Sequence, residues 1–423
     1  MRFRRAAVAP FDLDRLRARA ARTGWLLEGR DAVRCGFGDA VLTLHLATGL
    51  RDVQRAVDAL RATSLSGDGG PPGTGVVAFA SLPFTPTAPA YLEVPRYVVS
   101  QLADGRAWLT QLEGSPALGD VDDEPLDTQS VQAPTDLAYA PTPDEYAHRV
   151  ARAVQRMRRR ELDKVVLARA VTGTVGEPID PAAVAHRLRD REPLCTVYAL
   201  PLPDGRRYVG ASPELLVRRS GPVAQCHPLA GTIALPDDVD PEDYQEWLLG
   251  SAKNLHEHAI LVRDIVDTLA DAYETVTADP TPSVVTLATI AHLGTWITAR
   301  TRDSSHAPDA LSVLARLHPT AAVGGTPRDV ALEHIDRVEV DRGHYAGPLG
   351  WIDESGDGEW WIGIRGVVLD GARFEARAGA GIIGESEPAA EREETRDKLA
   401  SVLSAVITGA AVPPATVVPA PTP

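Results

Sequence analysis

The chain is 423 residues long and 44% hydrophobic, enough for one large domain or two ordinary ones around a sizeable core. Lys and Arg number 43 against 58 Asp and Glu, and the formal net charge of −15 argues against a nucleic-acid-binding surface. Cys35, Cys195 and Cys226 stand too far apart for a metal motif or a disulfide framework, which fits a reducing cytoplasm.

The basic opening MRFRRAAVAPFDLD has a short apolar run broken by Pro10 and Asp12. It does not read as a secretory signal, and no run in the chain is apolar for long enough to span a bilayer. From about residue 11 to 140 the pattern gives short strands (VVAFASLPF and YLEVPRYVVS), a helix near 50–62 and a turn-rich SGDGGPPGTG at 66–75. No catalytic constellation stands out there, so 1–140 reads as a scaffold half. The acidic, proline-rich 119–143 reads as a linker.

A helix is predicted over 143–160. ELDKVVLARAVTG then becomes a strand with Lys164 at its start. YVGASPELLVRR forms a further pair of strands, with Glu214 after Ser212-Pro213, and HPLAGTIALP offers the backbone of Gly231 and the hydroxyl of Thr232. A long helix is predicted over 241–274. Leu255, Val262, Ile265, Val266 and Leu269 form its buried stripe, with Asn254, Glu257 and Leu261 on a neighbouring row. His256 and His258 sit two apart and point in different directions, so they do not make a zinc pair. AHLGTWITAR puts His292 on or beside a strand. The tail at 409–423 has no amphipathic pattern and reads as disordered.

The stretch 317–398 carries most of the remaining signal. Gly356-Asp357-Gly358 and Asp370-Gly371 mark hairpin turns between three strands. In the second strand Trp360, Ile362 and Ile364 share a core face, opposite Trp361, Gly363 and Arg365. In the third, Phe374, Ala376, Ala378 and Ala380 alternate with Glu375, Arg377, Gly379 and Gly381. Glycines inside a strand often mark close approach of a ligand or another backbone. An arginine on such a face suits a planar carboxylate, gripped through two parallel hydrogen bonds. A solvated arginine beside glycine bulges is the plainer reading of the strands alone. A closing helix carries Glu391, Glu394 and Lys398.

Singly, each signal has an ordinary structural explanation. Together and in this order, DKVVLAR, GASPELL, PLAGT, SAKNLHEH, HLGT, LHPTAAVGGTPR, RGHYAGPLGW, IRG, AGAGI and EREETRDK resemble the chorismate-utilising enzymes, and isochorismate synthases most closely. The resemblance covers most of 163–398. It implies an α+β fold of two similar halves, with antiparallel β-sheets packed together and helices outside. It places the scaffold half at 1–140 and the catalytic half at 141–408.

The same resemblance implies chorismate as the small-molecule substrate of a cytoplasmic monomer, with no nucleic-acid or membrane partner. Water adds at ring carbon 2 as the carbon 4 hydroxyl leaves, which needs a base and an acid. Lys164 matches the base and Glu214 the acid. Glu257, Glu391 and Glu394 match a Mg2+ site for the ring carboxylate, with Lys398 assisting. Arg365 and Tyr345 match the grip on the enolpyruvyl carboxylate, and Gly379 and Gly381 admit the ligand. Gly231, Thr232, His292, Ala322 and Val323 match further substrate contacts. Asn254 departs from the family, which usually has an acidic residue there.

Lys164 argues against an anthranilate synthase and Ala230 against an aminodeoxychorismate synthase. Salicylate synthases, which go on to eliminate pyruvate, share Lys164 and Glu214, but Ala322-Val323 match the isochorismate-releasing type. A non-catalytic binding protein on the same fold is the other alternative, and it predicts decay of positions that are all compatibly filled here. Whether the product feeds menaquinone, catecholate siderophore or salicylate synthesis is not written in these residues.

Overall fold

The alternating valine-rich run KVVLARAVTGT forms the central strand Lys164–Thr174, since branched apolar side chains suit a buried pleat. The computed structural model describes residues 1–119, 125, 129–235 and 241–408. The tail expected to be disordered, 409–423, lies outside the described residues, as does part of the 119–143 linker.

The central strand pairs antiparallel with Arg373–Ile382, from Val165 opposite Ile382 to Thr174 opposite Arg373. From there the ladder continues through Gly366–Asp370, Arg207–Ser212, Thr196–Pro201, Trp25–Glu28, Ala32–Leu46, Ala90–Leu102 and Ala107–Leu112 to Arg2–Val8. A second series runs through Val77–Ser81, Pro348–Asp353, Gly358–Ile362, Leu215–Ser220, Val223–His227, Ile297–Arg300 and Thr275–Ala278. The two meet where Phe79 pairs with Glu93.

Pairing between the described strands is antiparallel except for Arg2–Val8 against Ser64–Gly67. Val165, Leu167 and Ala380 of the first series share a buried cluster with Val217, Trp360 and Ile362 of the second. The helices Leu13–Thr23 and Pro181–Arg191 pack against Thr196–Pro201, and Pro388–Leu403 packs on Arg373–Ile382. The fold is α+β, with antiparallel sheets and flanking helices. Among the described residues no helix is long and apolar enough to cross a membrane.

Several local expectations need correction. Asp136–Ala140, inside the expected linker, is an edge strand on Lys164–Thr174. Its short alternation was hidden by the neighbouring prolines. Pairing therefore crosses the expected 140/141 boundary, as it does where Val77–Ser81 meets Pro348–Asp353.

The single helix expected over 241–274 is two, Pro241–Gly250 and Ala252–Ala270. Gly250 weakens the helix, and Ser251 caps the next one by accepting from the Asn254 backbone at 3.3 Å. The buried row of the second helix is Glu257, Leu261, Ile265 and Leu269, spaced by four, while Leu255, Val262 and Val266 are only half-buried. The stripe is thus rotated so that a carboxylate lies on it.

The second of the three C-terminal strands is also broken, into Gly358–Ile362 and Gly366–Asp370. Arg365 adopts a φ of +53°, which no continuous strand allows. Tyr208 donates to the Gly363 carbonyl at 2.6 Å and Tyr198 to the Ile364 carbonyl at 3.1 Å, fixing the kink.

Candidate active site

The kink, the glycine-faced strand and the row on Ala252–Ala270 converge on one cleft of about 680 Å³, partly open to solvent. It is lined by Glu214, Gly231, Thr232, Glu257, His292, Ala322, Val323, Tyr345, Arg365, Gly379, Gly381, Glu394 and Lys398. Of the catalytic, substrate-binding and metal residues expected from sequence, Lys164 and Glu391 alone are not on its surface. Lys164 lies beneath it, fully buried, with Nζ 2.9 Å from Glu257 Oε1. The contact is an ion pair, and Nζ has no hydrogen-bond partner that meets geometric criteria.

The glycines explain how these groups fit. A Cβ on Gly381 would fall 2.1 Å from Glu257 Oε1 and 3.0 Å from Lys164 Cε. One on Gly379 would fall 3.0 Å from the Tyr345 hydroxyl. The room expected for a ligand over this strand is therefore shared with a carboxylate, an amine and a phenol of the protein itself.

Charges at one end of the cleft come as lysine–glutamate pairs. Besides Lys164–Glu257, Lys398 Nζ lies 2.5 Å from Glu394 Oε1 and also donates to the Gly379 carbonyl at 3.1 Å. Lys253 Nζ lies 2.6 Å from Glu391 Oε1. Burial pushes Glu257 up, but Lys164, with Lys253 and Lys398, more than offsets this and holds its carboxyl below the usual range.

Glu391 goes the other way, up to about 7, because burial and the neighbouring Glu394 charge outweigh Lys253. Lys253 is itself raised, as an ion pair requires. The simple pair would lower Glu391, but Lys253 is one-third exposed and neutralises it incompletely. Glu391 Oε2 is buried without a hydrogen-bond partner. Among the described residues no three metal-ligating side chains already converge on one point.

Glu214, His292 and Arg365 line the same cleft. Burial pushes the Glu214 carboxyl up to about 7, against the opposing charges of Lys164, Lys398 and Arg365 and a hydrogen bond from the Leu229 backbone. It is 5% exposed, so solvent does little to stabilise its ionised form. His292 Nδ1 lies 3.3 Å from the Gly231 carbonyl and 3.1 Å from Thr232 Oγ1. A carbonyl can only accept, so Nδ1 carries the proton and Nε2 accepts from Arg365 Nη2 at 3.0 Å. Burial and the Arg365 charge push His292 well below the usual histidine range, keeping it neutral. Burial raises the Tyr345 hydroxyl to about 12, so it remains a donor. Holding Arg365 at positive φ costs about 1–3 kcal/mol, strain that aims a buried guanidinium into the cleft.

Two charged residues that line or support the cleft were not assigned roles from sequence. Arg377 lines the cleft on the same strand face as Gly379 and Gly381, a position the alternation already showed. Lys253 sits in the quoted SAKNLHEH segment, but its partner Glu391 is remote in the chain. Asn254 packs against Gly231 and does not line the cleft.

A family model described as chorismate binding enzyme matches residues 16–407. The chain belongs to the chorismate-binding enzymes. A Mycobacterium tuberculosis relative, whose name gives isochorismate synthase MenF as a provisional assignment, is 36% identical over 385 residues, covering 88% of this chain and 95% of that one. Isochorismate synthase EntC of Escherichia coli is 30% identical over 331 residues, covering 78% of this chain and 80% of its own. The solved structure of MenF, the menaquinone-specific isochorismate synthase of Escherichia coli, superposes with a TM-score of 0.78 at 25% identity, covering 96% of this chain and 94% of that one. These relatives carry the name isochorismate synthase, an isomerase.

Proposed function

We propose that this enzyme converts chorismate to isochorismate. The observation that carries the reading is Glu214, a buried carboxyl that keeps its proton to about pH 7 in the cleft that also exposes Arg365 and Glu257. Displacement of a ring hydroxyl needs such an undissociated acid.

To act as the base Lys164 must first give up to solvent the proton it carries in its pair with Glu257; it then takes a proton from water as the oxygen bonds to carbon 2. The ring double bond shifts, the carbon 4–oxygen bond breaks, and Glu214 gives its proton to the departing hydroxyl, which leaves as water. Solvent then returns a proton to Glu214 and removes one from Lys164. Arg365 and the Tyr345 hydroxyl hold the enolpyruvyl carboxylate, and neutral His292 holds Arg365.

Glu257 and Glu394 are hard oxygen donors of the type Mg2+ prefers, and the unpartnered Glu391 Oε2 with its like-charged neighbour Glu394 favours a cation nearby. Bound there, Mg2+ would supply positive charge to neutralise the ring carboxylate. Lys398 would release Glu394 as the ion is taken up, and Lys253 would keep Glu391 in place.

The experiment is chromatography of the products after incubating purified protein with chorismate and Mg2+. Isochorismate alone supports the assignment. Salicylate with pyruvate would reassign the chain to isochorismate formation followed by elimination. No conversion would overturn the proposal.

A further inference from the structure

The cleft does not end at Arg377. A second cavity of about 630 Å³ adjoins it, lined in part by Arg206, Asp341, His344 and Glu375, and the two share Tyr345 and Arg377. The strand Arg373–Ile382 floors both. Glu375, Arg377, Gly379 and Gly381 lie on one of its faces, spaced by about 7 Å per pair of residues, so this face leads from the second cavity into the cleft.

Arg377 stands midway along that floor. Its Nε donates to Glu375 Oε1 at 2.6 Å and its Nη1 to the Asp341 carbonyl at 2.7 Å, so the guanidinium is braced from the outer side. Among the described residues Nη2 donates to no protein group. A braced guanidinium with one edge uncommitted, facing a cleft that already holds Arg365, is suited to a second carboxylate contact.

Resting on the proposed isochorismate synthase activity, we propose that the second cavity is the entrance to the cleft and that Arg377 is a substrate-binding residue at its inner end. It takes a carboxylate of the dianionic ring acid on the way in and passes it to Arg365. Glu375 braces Arg377 and also moderates its charge, so the two residues act in opposite senses on the anion.

The test is steady-state kinetics with chorismate and Mg2+ at low and high ionic strength, on wild type, Arg377→Gln and Glu375→Gln. The expected result for Arg377→Gln is a KM raised about 5- to 10-fold with kcat within about 2-fold, as for loss of binding shared by ground and transition states. The gap should shrink to about 2-fold at 0.5 M salt, where the screening length is roughly 4 Å. Glu375→Gln keeps an acceptor for Nε and removes only charge, so its KM should fall below wild type at low salt. Circular dichroism identifies any variant that fails to fold, and Glu375→Gln then carries the test alone. Unchanged KM and salt dependence in the folded variants overturn the entrance. Absence of turnover in wild type overturns the activity on which it rests, and so the two failures are distinguishable.

Discussion

Two ion pairs in this molecule are about equally buried and do different things. Arg219, on Leu215–Ser220, meets Asp357, in the turn between Pro348–Asp353 and Gly358–Ile362; they are 4% and 11% exposed, with Nη1 2.6 Å from Oδ1. Lys164 and Glu257 sit under the cleft, 1% and 11% exposed, at 2.9 Å. Around Arg219 the polar groups are largely matched, with Nε left without an acceptor. Its nitrogens also donate to the Ser355 and Ser304 carbonyls at 3.3 Å, and the Gly221 backbone donates to Asp357 at 2.7 Å. Around Lys164 they are not, since Nζ has no well-aligned acceptor and its carboxylate partner faces the cleft. Directional satisfaction, more than burial or distance, separates a pair that holds the fold from one free to exchange partners and protons.

Replacing one member of each pair sharpens the contrast. Lys164→Ala should have the largest effect on turnover, about 10²–10⁴-fold in kcat, the usual worth of a general base. Its thermal unfolding should move little, because Glu257 faces the cleft and lies in the field of Lys253 and Lys398. Arg219→Met reverses the pattern. It leaves Asp357 buried without its cation and should cost about 3–5 kcal/mol in denaturant unfolding, with near-normal turnover per folded molecule. Equal destabilisation by both substitutions would dissolve the distinction.

The same contrast decides what could be read from the chain alone. Lys164, Glu214, Arg365 and the Glu391–Glu394–Lys398 helix were singled out through a resemblance carried by contiguous motifs, and Glu214, Arg365, Glu394 and Lys398 line one cleft. The sheet strands near 77–81 and 90–102 were legible from alternation. Alternation could not show the break at Gly363-Ile364-Arg365, since that depends on hydroxyls of Tyr198 and Tyr208 arriving from other strands. Nor could it show that Lys253 meets Glu391, or that Glu257 belongs to the buried row. Those pairings join residues over a hundred positions apart or depend on how a helix is rotated against the sheet. The helix at 241–274 was overextended because a single Gly-Ser step interrupts an otherwise continuous pattern.

The central claim is that Glu214 acts in its protonated form. Its carboxyl is raised to about 7, so the acid is present below that pH and is lost as pH rises through it. The measurement is the pH dependence of kcat with saturating chorismate and Mg2+, for wild type and Glu214→Gln. The account predicts that the wild-type profile changes near pH 7, where Glu214 ionises, and that Glu214→Gln has a low residual rate without that feature. A feature that persists unchanged in Glu214→Gln, or a variant as fast as wild type, would contradict it.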